Sequence, residues 1–199
     1  AGESFSIGPL SVVADVTGSS ALEIVAGNAV YSADGSVLWS DASLGDGYPA
    51  VADFDGDGTP EIVVASQGTV RVQNAAGAIL WGPVTIPRID DPTASGGRLG
   101  APTVADFDGD GTPEVGIAGR SQYVTLDIDL SRPDVDFEAA RLWQVPTQDA
   151  SSNITGSSVF DFDADGSVEV VYNDEQYLRV FRGTDGEKLF ERRNTSFTA

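Results

Sequence analysis

Apolar and polar positions alternate along the chain in short bursts, and most bursts end in a cluster of Gly and Asp. The stretch from Ala50 to Trp81 shows the rule. Ala50 to Asp53 runs into an acidic loop, and Glu61 to Ala65 leaves it as a Val- and Ile-rich segment. Thr69 to Gln73 alternates with period two, Ala76-Gly77 marks a turn, and Ala78 to Trp81 closes on an aromatic. β-branched residues at period two, punctuated by Gly and Asp, predict strands and hairpins rather than helices. Only Asp134 to Arg141 could hold a helical turn; with Pro133 ahead of it, this stretch reads as a loop insertion. No apolar run approaches the ~20 residues that a membrane helix needs, so no membrane insertion is expected.

The bursts repeat. PAVADFDGDGTPEIVVAS from Pro49, APTVADFDGDGTPEVGIAG from Ala101 and SSVFDFDADGSVEVVYND from Ser157 are variants of one string, and LSVVADVTGSSALEIVAG from Leu10 is a fourth. Their first acidic residues, Asp15, Asp53, Asp106 and Asp161, are separated by 38, 53 and 55 residues. Each unit closes on an aromatic: Trp39, Trp81, Trp143 and Phe190. Periods of this length are the signature of solenoids, propellers or arrays in which each unit buries its apolar face against the next. The chain is therefore predicted to be all-β, one domain over residues 1–199, built from four four-stranded units at about 9–42, 48–84, 101–146 and 157–193. Aromatics at the matching place in every unit read as packing between units rather than as a platform for sugars.

The loop from Asp53 to Glu61 carries Asp53, Asp55, Asp57 and Glu61 at its positions 1, 3, 5 and 9, with Gly58 at position 6. Asp106, Asp108, Asp110 and Glu114 repeat the pattern, as do Asp161, Asp163, Asp165 and Glu169. Ca2+ takes six to eight hard oxygens at about 2.3–2.6 Å, and alternate side chains of a curled loop converge on one point; Mg2+ fits less well because it demands an octahedron and keeps its waters. Thr59, Thr112 and Ser167, at position 7, would add a backbone carbonyl to each set. The glutamate falls at position 9 rather than 12, which places the loop in a hairpin between strands instead of between two helices. Without an ion, clustered carboxylates repel one another and their pKa values rise. One such string could be a solvated acidic turn; three in register predict three calcium ions. The first copy, Asp15 to Glu23, keeps positions 1 and 9 but has Thr17 and Ser19 at 3 and 5 and Ser20 at 6, so it is expected to bind weakly or not at all and to hold its turn through hydroxyl and Asx-type hydrogen bonds.

The strings VADFDGDGTPEIVVA and VADFDGDGTPEVGIAG resemble the FG-GAP/VCBS repeats of integrin-α-like β-propellers, and the likeness extends through four units over nearly the whole chain. The resemblance implies four-stranded antiparallel blades around a central axis, calcium held in the hairpin between the first two strands of a blade, and secreted or surface proteins that adhere or bind ligands. It also implies rings of more than four blades. Two arrangements follow: a four-bladed ring closed by its own termini, or, as is favoured here, a segment of a larger ring or a self-associating unit. Ser4 to Ile7 or Thr195 to Thr198 could add a strand across such a junction.

Composition narrows the function. Asp and Glu number 31 against 11 Lys and Arg, a formal charge of −20 that repels nucleic acid and anionic membranes. The chain has no Cys and no His, and Lys188 is its only lysine. That removes disulfides, thiolate sites and the commonest general base. The expected function is a non-catalytic calcium-binding module for adhesion or for binding a protein or carbohydrate ligand, with the long connections at 82–100 and 130–141 as recognition loops and Arg88, Arg98, Arg120 and Arg132 as local cations. A calcium-stapled subunit of a surface filament, associating with copies of itself, is the alternative; part of a rhamnogalacturonan-type polysaccharide lyase is a further one. Extracellular calcium modules bind at about 10⁻⁴–10⁻³ M, which fits a secreted or cell-surface protein. A start at Ala1 accords with a cleaved signal or with a trimmed chain, and Asn153-Ile-Thr155 and Asn194-Thr-Ser196 fit the N-glycosylation pattern.

Overall fold

The computed structural model describes residues 10–94, 97–150 and 155–194, so the two terminal stretches considered as junction strands and Asn153 lie outside the described residues. Sixteen strands form four antiparallel sheets of four, each in simple sequence order. The first holds β1 (Val12–Ala14), β2 (Glu23–Val25), β3 (Ala29–Tyr31) and β4 (Val37–Ser40). The second holds β5 (Tyr48–Ala52), β6 (Glu61–Ser66), β7 (Thr69–Gln73) and β8 (Ile79–Thr85). The third holds β9 (Thr103–Ala105), β10 (Glu114–Gly119), β11 (Gln122–Leu126) and β12 (Arg141–Pro146), and the fourth β13 (Ser157–Phe160), β14 (Glu169–Asn173), β15 (Tyr177–Phe181) and β16 (Lys188–Arg193). These are propeller-type blades, and among the described residues the protein is all-β but for one turn of helix.

That helix, α1 (Phe137–Ala140), corrects the reading of 134–141 as loop alone. Asp136 accepts the N–H of Ala139 at 2.9 Å and caps it. Phe137 and Ala140 then bury themselves against the second blade's Trp81 cluster, so tertiary packing holds a helix too short to form alone.

Period-two alternation gives each inner blade two apolar faces. In β6, Val63 and Ala65 face the third blade, while Ile62 and Val64 face the first. Three cores result: Val25, Val30, Ile62 and Val64 between blades one and two, a larger cluster around Trp81, Ile117 and Leu126 between two and three, and Phe107, Trp143, Tyr172 and Phe181 between three and four. The first strands neighbour one another in the order β1, β5, β9, β13, and among the described residues no contact of similar extent joins β13 back to β1. Among the described residues four blades share three interfaces, and none of these residues covers the outer faces of the first and fourth as another blade would.

The closing aromatics follow this geometry. Trp81 and Trp143 are buried and Trp39 packs into the first interface, whereas Phe190, expected to behave alike, is 46 % exposed.

Candidate metal centre

Each acidic loop joins the first two strands of its blade, and its glutamate is the first residue of the second strand. Ala14 pairs with Glu23, Ala52 with Glu61, Ala105 with Glu114 and Phe160 with Glu169. The hairpin register therefore sets position 9 across from the residue that precedes position 1, which brings both ends of the acidic string to the mouth of the loop.

In the third blade, carboxylate oxygens of Asp106, Asp108, Asp110 and Glu114 lie within 4.8 Å of one another. The second loop gathers Asp53, Asp55 and Asp57 in this way, without Glu61, and the fourth gathers Asp161, Asp163 and Glu169, without Asp165. Four, three and three of the predicted carboxylates thus come together. The position-7 residues stand beside them, their N–H groups donating to the position-5 carboxylates: Thr59 to Asp57 at 2.7 Å, Thr112 to Asp110 at 2.8 Å and Ser167 to Asp165 at 2.9 Å.

The curl of each loop is built by its first aspartate. Asp53 accepts the N–H groups of Gly56 and Asp57 on one oxygen and of Gly58 on the other, at 2.7, 3.1 and 2.9 Å. Asp106 does the same for Gly109 and Gly111. Position 6 sits at φ of 89°, 94° and 100° in Gly58, Gly111 and Gly166, left-handed backbone where a side chain would be strained.

The buried glutamates carry a role that the sequence reading missed. Oε2 of Glu23, Glu61, Glu114 and Glu169 accepts the N–H of the position-2 residue, Val16, Phe54, Phe107 and Phe162, at 3.0, 2.9, 2.6 and 2.8 Å. The contact latches the two ends of every loop. Its signal was present in the sequence: loop one loses the acids at positions 3 and 5 yet retains Glu23. That loop keeps its turn as expected, with the N–H groups of Ser19 and Ser20 on Asp15 and the Thr17 hydroxyl on Ser19.

The donor set suits a hard divalent cation. Burial, followed by the charges of Asp108, Asp110 and Asp106, pushes the Glu114 carboxyl up to about 8, against the pull of the Phe107 N–H. Glu61 is raised for the same reasons, burial first and then Asp55, Asp53 and Asp57. A cation at the centre of either loop would replace mutual repulsion with attraction.

Residues 53–117 match the family model of the FG-GAP-like repeat. No curated protein matches the chain. Among solved structures, the biofilm matrix protein Bap1 of V. cholerae aligns with 15 % identity and a TM-score of 0.62 over 95 % of this chain and 56 % of its own. A Bacillus licheniformis rhamnogalacturonan lyase aligns with 20 % identity and a TM-score of 0.56, over 90 % of this chain and 41 % of its own. BamB of Moraxella catarrhalis aligns with 18 % identity and a TM-score of 0.53, over 98 % and 50 %. At these identities the likeness is one of fold, and this chain spans about half the length of the proteins it resembles. Residues 53–117, which run from the second blade's acidic loop into the third blade, are matched by the FG-GAP-like repeat, and the two hairpin latches within them recur in the other two blades of this β-propeller-type chain.

Proposed function

We propose that the protein is an extracellular, calcium-binding β-propeller module that presents a rigid surface to a protein or carbohydrate ligand and carries out no chemistry of its own. The observation that supports this best is the gathering of Asp106, Asp108, Asp110 and Glu114 at the mouth of one hairpin, repeated with three carboxylates in the second and fourth blades. Calcium would be held by Asp53, Asp55, Asp57, Thr59 and Glu61, by Asp106, Asp108, Asp110, Thr112 and Glu114, and by Asp161, Asp163, Asp165, Ser167 and Glu169. Such ions stiffen the hairpins, and stiff hairpins hold connecting loops in fixed positions for recognition.

The non-catalytic reading is supported by the lack of the commonest acid–base groups. The chain has no His. Lys188 is exposed and paired with Glu191 at 2.9 Å. Tyr123 and Tyr172 are buried, and burial drives both above the ordinary tyrosine range, away from a useful base. Equilibrium dialysis against calcium should give about three ions per chain, falling to two in Asp106→Asn/Asp108→Asn; a wild-type value of zero or one would contradict the reading. Incubation with rhamnogalacturonan in calcium should release no unsaturated uronate, and calcium-dependent release would replace the module with a lyase.

A further inference from the structure

We infer that Asp46 and Gly47, in the connection between blades one and two, are a site of spontaneous covalent modification, at which the Asp46 side chain closes on the Gly47 amide and reopens as isoaspartate. The reaction needs a carboxyl beside the backbone nitrogen that follows it, and it goes most readily before glycine, which has no Cβ to stand in the way. The chain holds eight Asp-Gly pairs. All eight lie among the described residues, and the fold treats one of them differently from the rest.

Seven pairs are guarded twice. In Asp34, Asp55, Asp57, Asp108, Asp110, Asp165 and Asp185 a carboxylate oxygen accepts the N–H two residues on, at 2.7–3.1 Å, rather than the N–H of the glycine that follows. The glycine amides are engaged elsewhere as well. Asp53 accepts the N–H groups of Gly56 and Gly58, Asp106 those of Gly109 and Gly111, and Asp161 that of Gly166. The carbonyls of Ser32 and Arg182 take those of Gly35 and Gly186. Bringing carboxyl and amide together in any of these turns would break two hydrogen bonds first.

Asp46 is the exception. Its Oδ1 accepts the Gly47 N–H itself, at 2.9 Å, so the carboxyl and the amide it attacks already stand against each other. Asp46 is exposed and lies outside the strands, where water reaches it. The step balances with water as its only co-reactant. The Gly47 nitrogen bonds to Cγ of the protonated carboxyl and loses its proton, the Cγ–OH bond breaks, and hydroxyl and proton leave as water. Water then opens the succinimide. Cleavage of the new Cγ–N bond restores aspartate, whereas cleavage between the Gly47 nitrogen and the Asp46 main-chain carbonyl carbon routes the chain through Cβ and Cγ.

The location gives the change a consequence. The Asp46 carbonyl, which becomes a free carboxylate, accepts the Ser66 hydroxyl at 2.6 Å, and the neighbouring Gly45 carbonyl accepts Nη1 of the buried Arg71 at 2.9 Å. A Cβ on Gly47 would run into the Ala65 carbonyl, so a main chain lengthened by one methylene has no room beside β6. Isoaspartate at 46 therefore loosens the joint between blades one and two.

The test ages the intact chain in warm neutral buffer with calcium and follows isoaspartate by peptide mapping with electron-transfer fragmentation, which separates it from aspartate of equal mass. Isoaspartate, preceded by a species lighter by one water, should accumulate at Asp46 about tenfold or more faster than at any of the other seven pairs. In guanidinium chloride that preference should vanish, because all eight aspartates precede glycine and only the fold distinguishes them. Asp46→Glu keeps the charge but makes the ring six-membered and slow to close, so it should show no modification at 46; an unchanged circular dichroism spectrum confirms folding. Modification first at another Asp-Gly pair, an even spread over the eight in the folded chain, or a preference for Asp46 that persists in guanidinium chloride would each overturn the proposal.

Discussion

The Glu114 carboxylate accepts the Phe107 N–H at 2.6 Å while its other contacts face three aspartates of the same loop. One side chain thus closes the hairpin and completes the ring of charge. The two roles separate on substitution. Glu114→Gln keeps an acceptor for Phe107 and removes a charge, so the fold should survive while calcium dialysis loses one ion. Glu23→Ala, in the loop without clustered acids, should cost about 1–3 kcal/mol equally with and without calcium, as read by urea unfolding.

Acidity gives a second expectation. In metal-free protein the Glu114 pKa is raised from 4.5 to about 8. Between those values the folded chain holds a proton that the unfolded chain has released, so stability falls as pH rises through that window. Asp34, lowered to about 2, acts oppositely but is fully ionised above pH 5 and does not interfere. The urea midpoint in EDTA should therefore be lower at pH 8 than at pH 5, and calcium should restore more stability at pH 8. A midpoint that climbs with pH in EDTA would refute this.

The aromatics should divide by position. Trp81→Ala removes a fully buried ring and should cost about 3–5 kcal/mol. Phe190→Ala, measured in dilute solution, should cost less than about 1 kcal/mol because the ring is half exposed. Equal costs in thermal unfolding would show that the outer face of blade four is covered.

At position 6 of the loops, Gly111→Ala places a Cβ at φ 94° and should destabilise metal-free protein by about 1–2 kcal/mol. The same change at Gly156, which has an ordinary φ and open space around it, should have little effect by the same denaturant titration.

Much of this was legible in the sequence because strand alternation and the acidic string are local and repeat in register. Thr69–Gln73 emerges with the predicted bounds, and the four closing aromatics mark the fourth strands. What was not legible depends on neighbours. Phe190 reads like Trp143, and its exposure is set by which neighbours pack on its blade, something a local string does not encode. Helix α1 is one turn long and owes its existence to Trp81, far away in sequence. The latch made by Glu61 was hidden because a ligand and a hydrogen-bond acceptor call for the same carboxylate.

Thermal unfolding of the intact chain in EDTA and in saturating calcium tests the central claim most directly. At a free concentration a hundredfold above Kd, each site adds ~2.7 kcal/mol, so three sites should raise Tm by more than about 10 °C. Superimposable melts in EDTA and calcium would contradict the account.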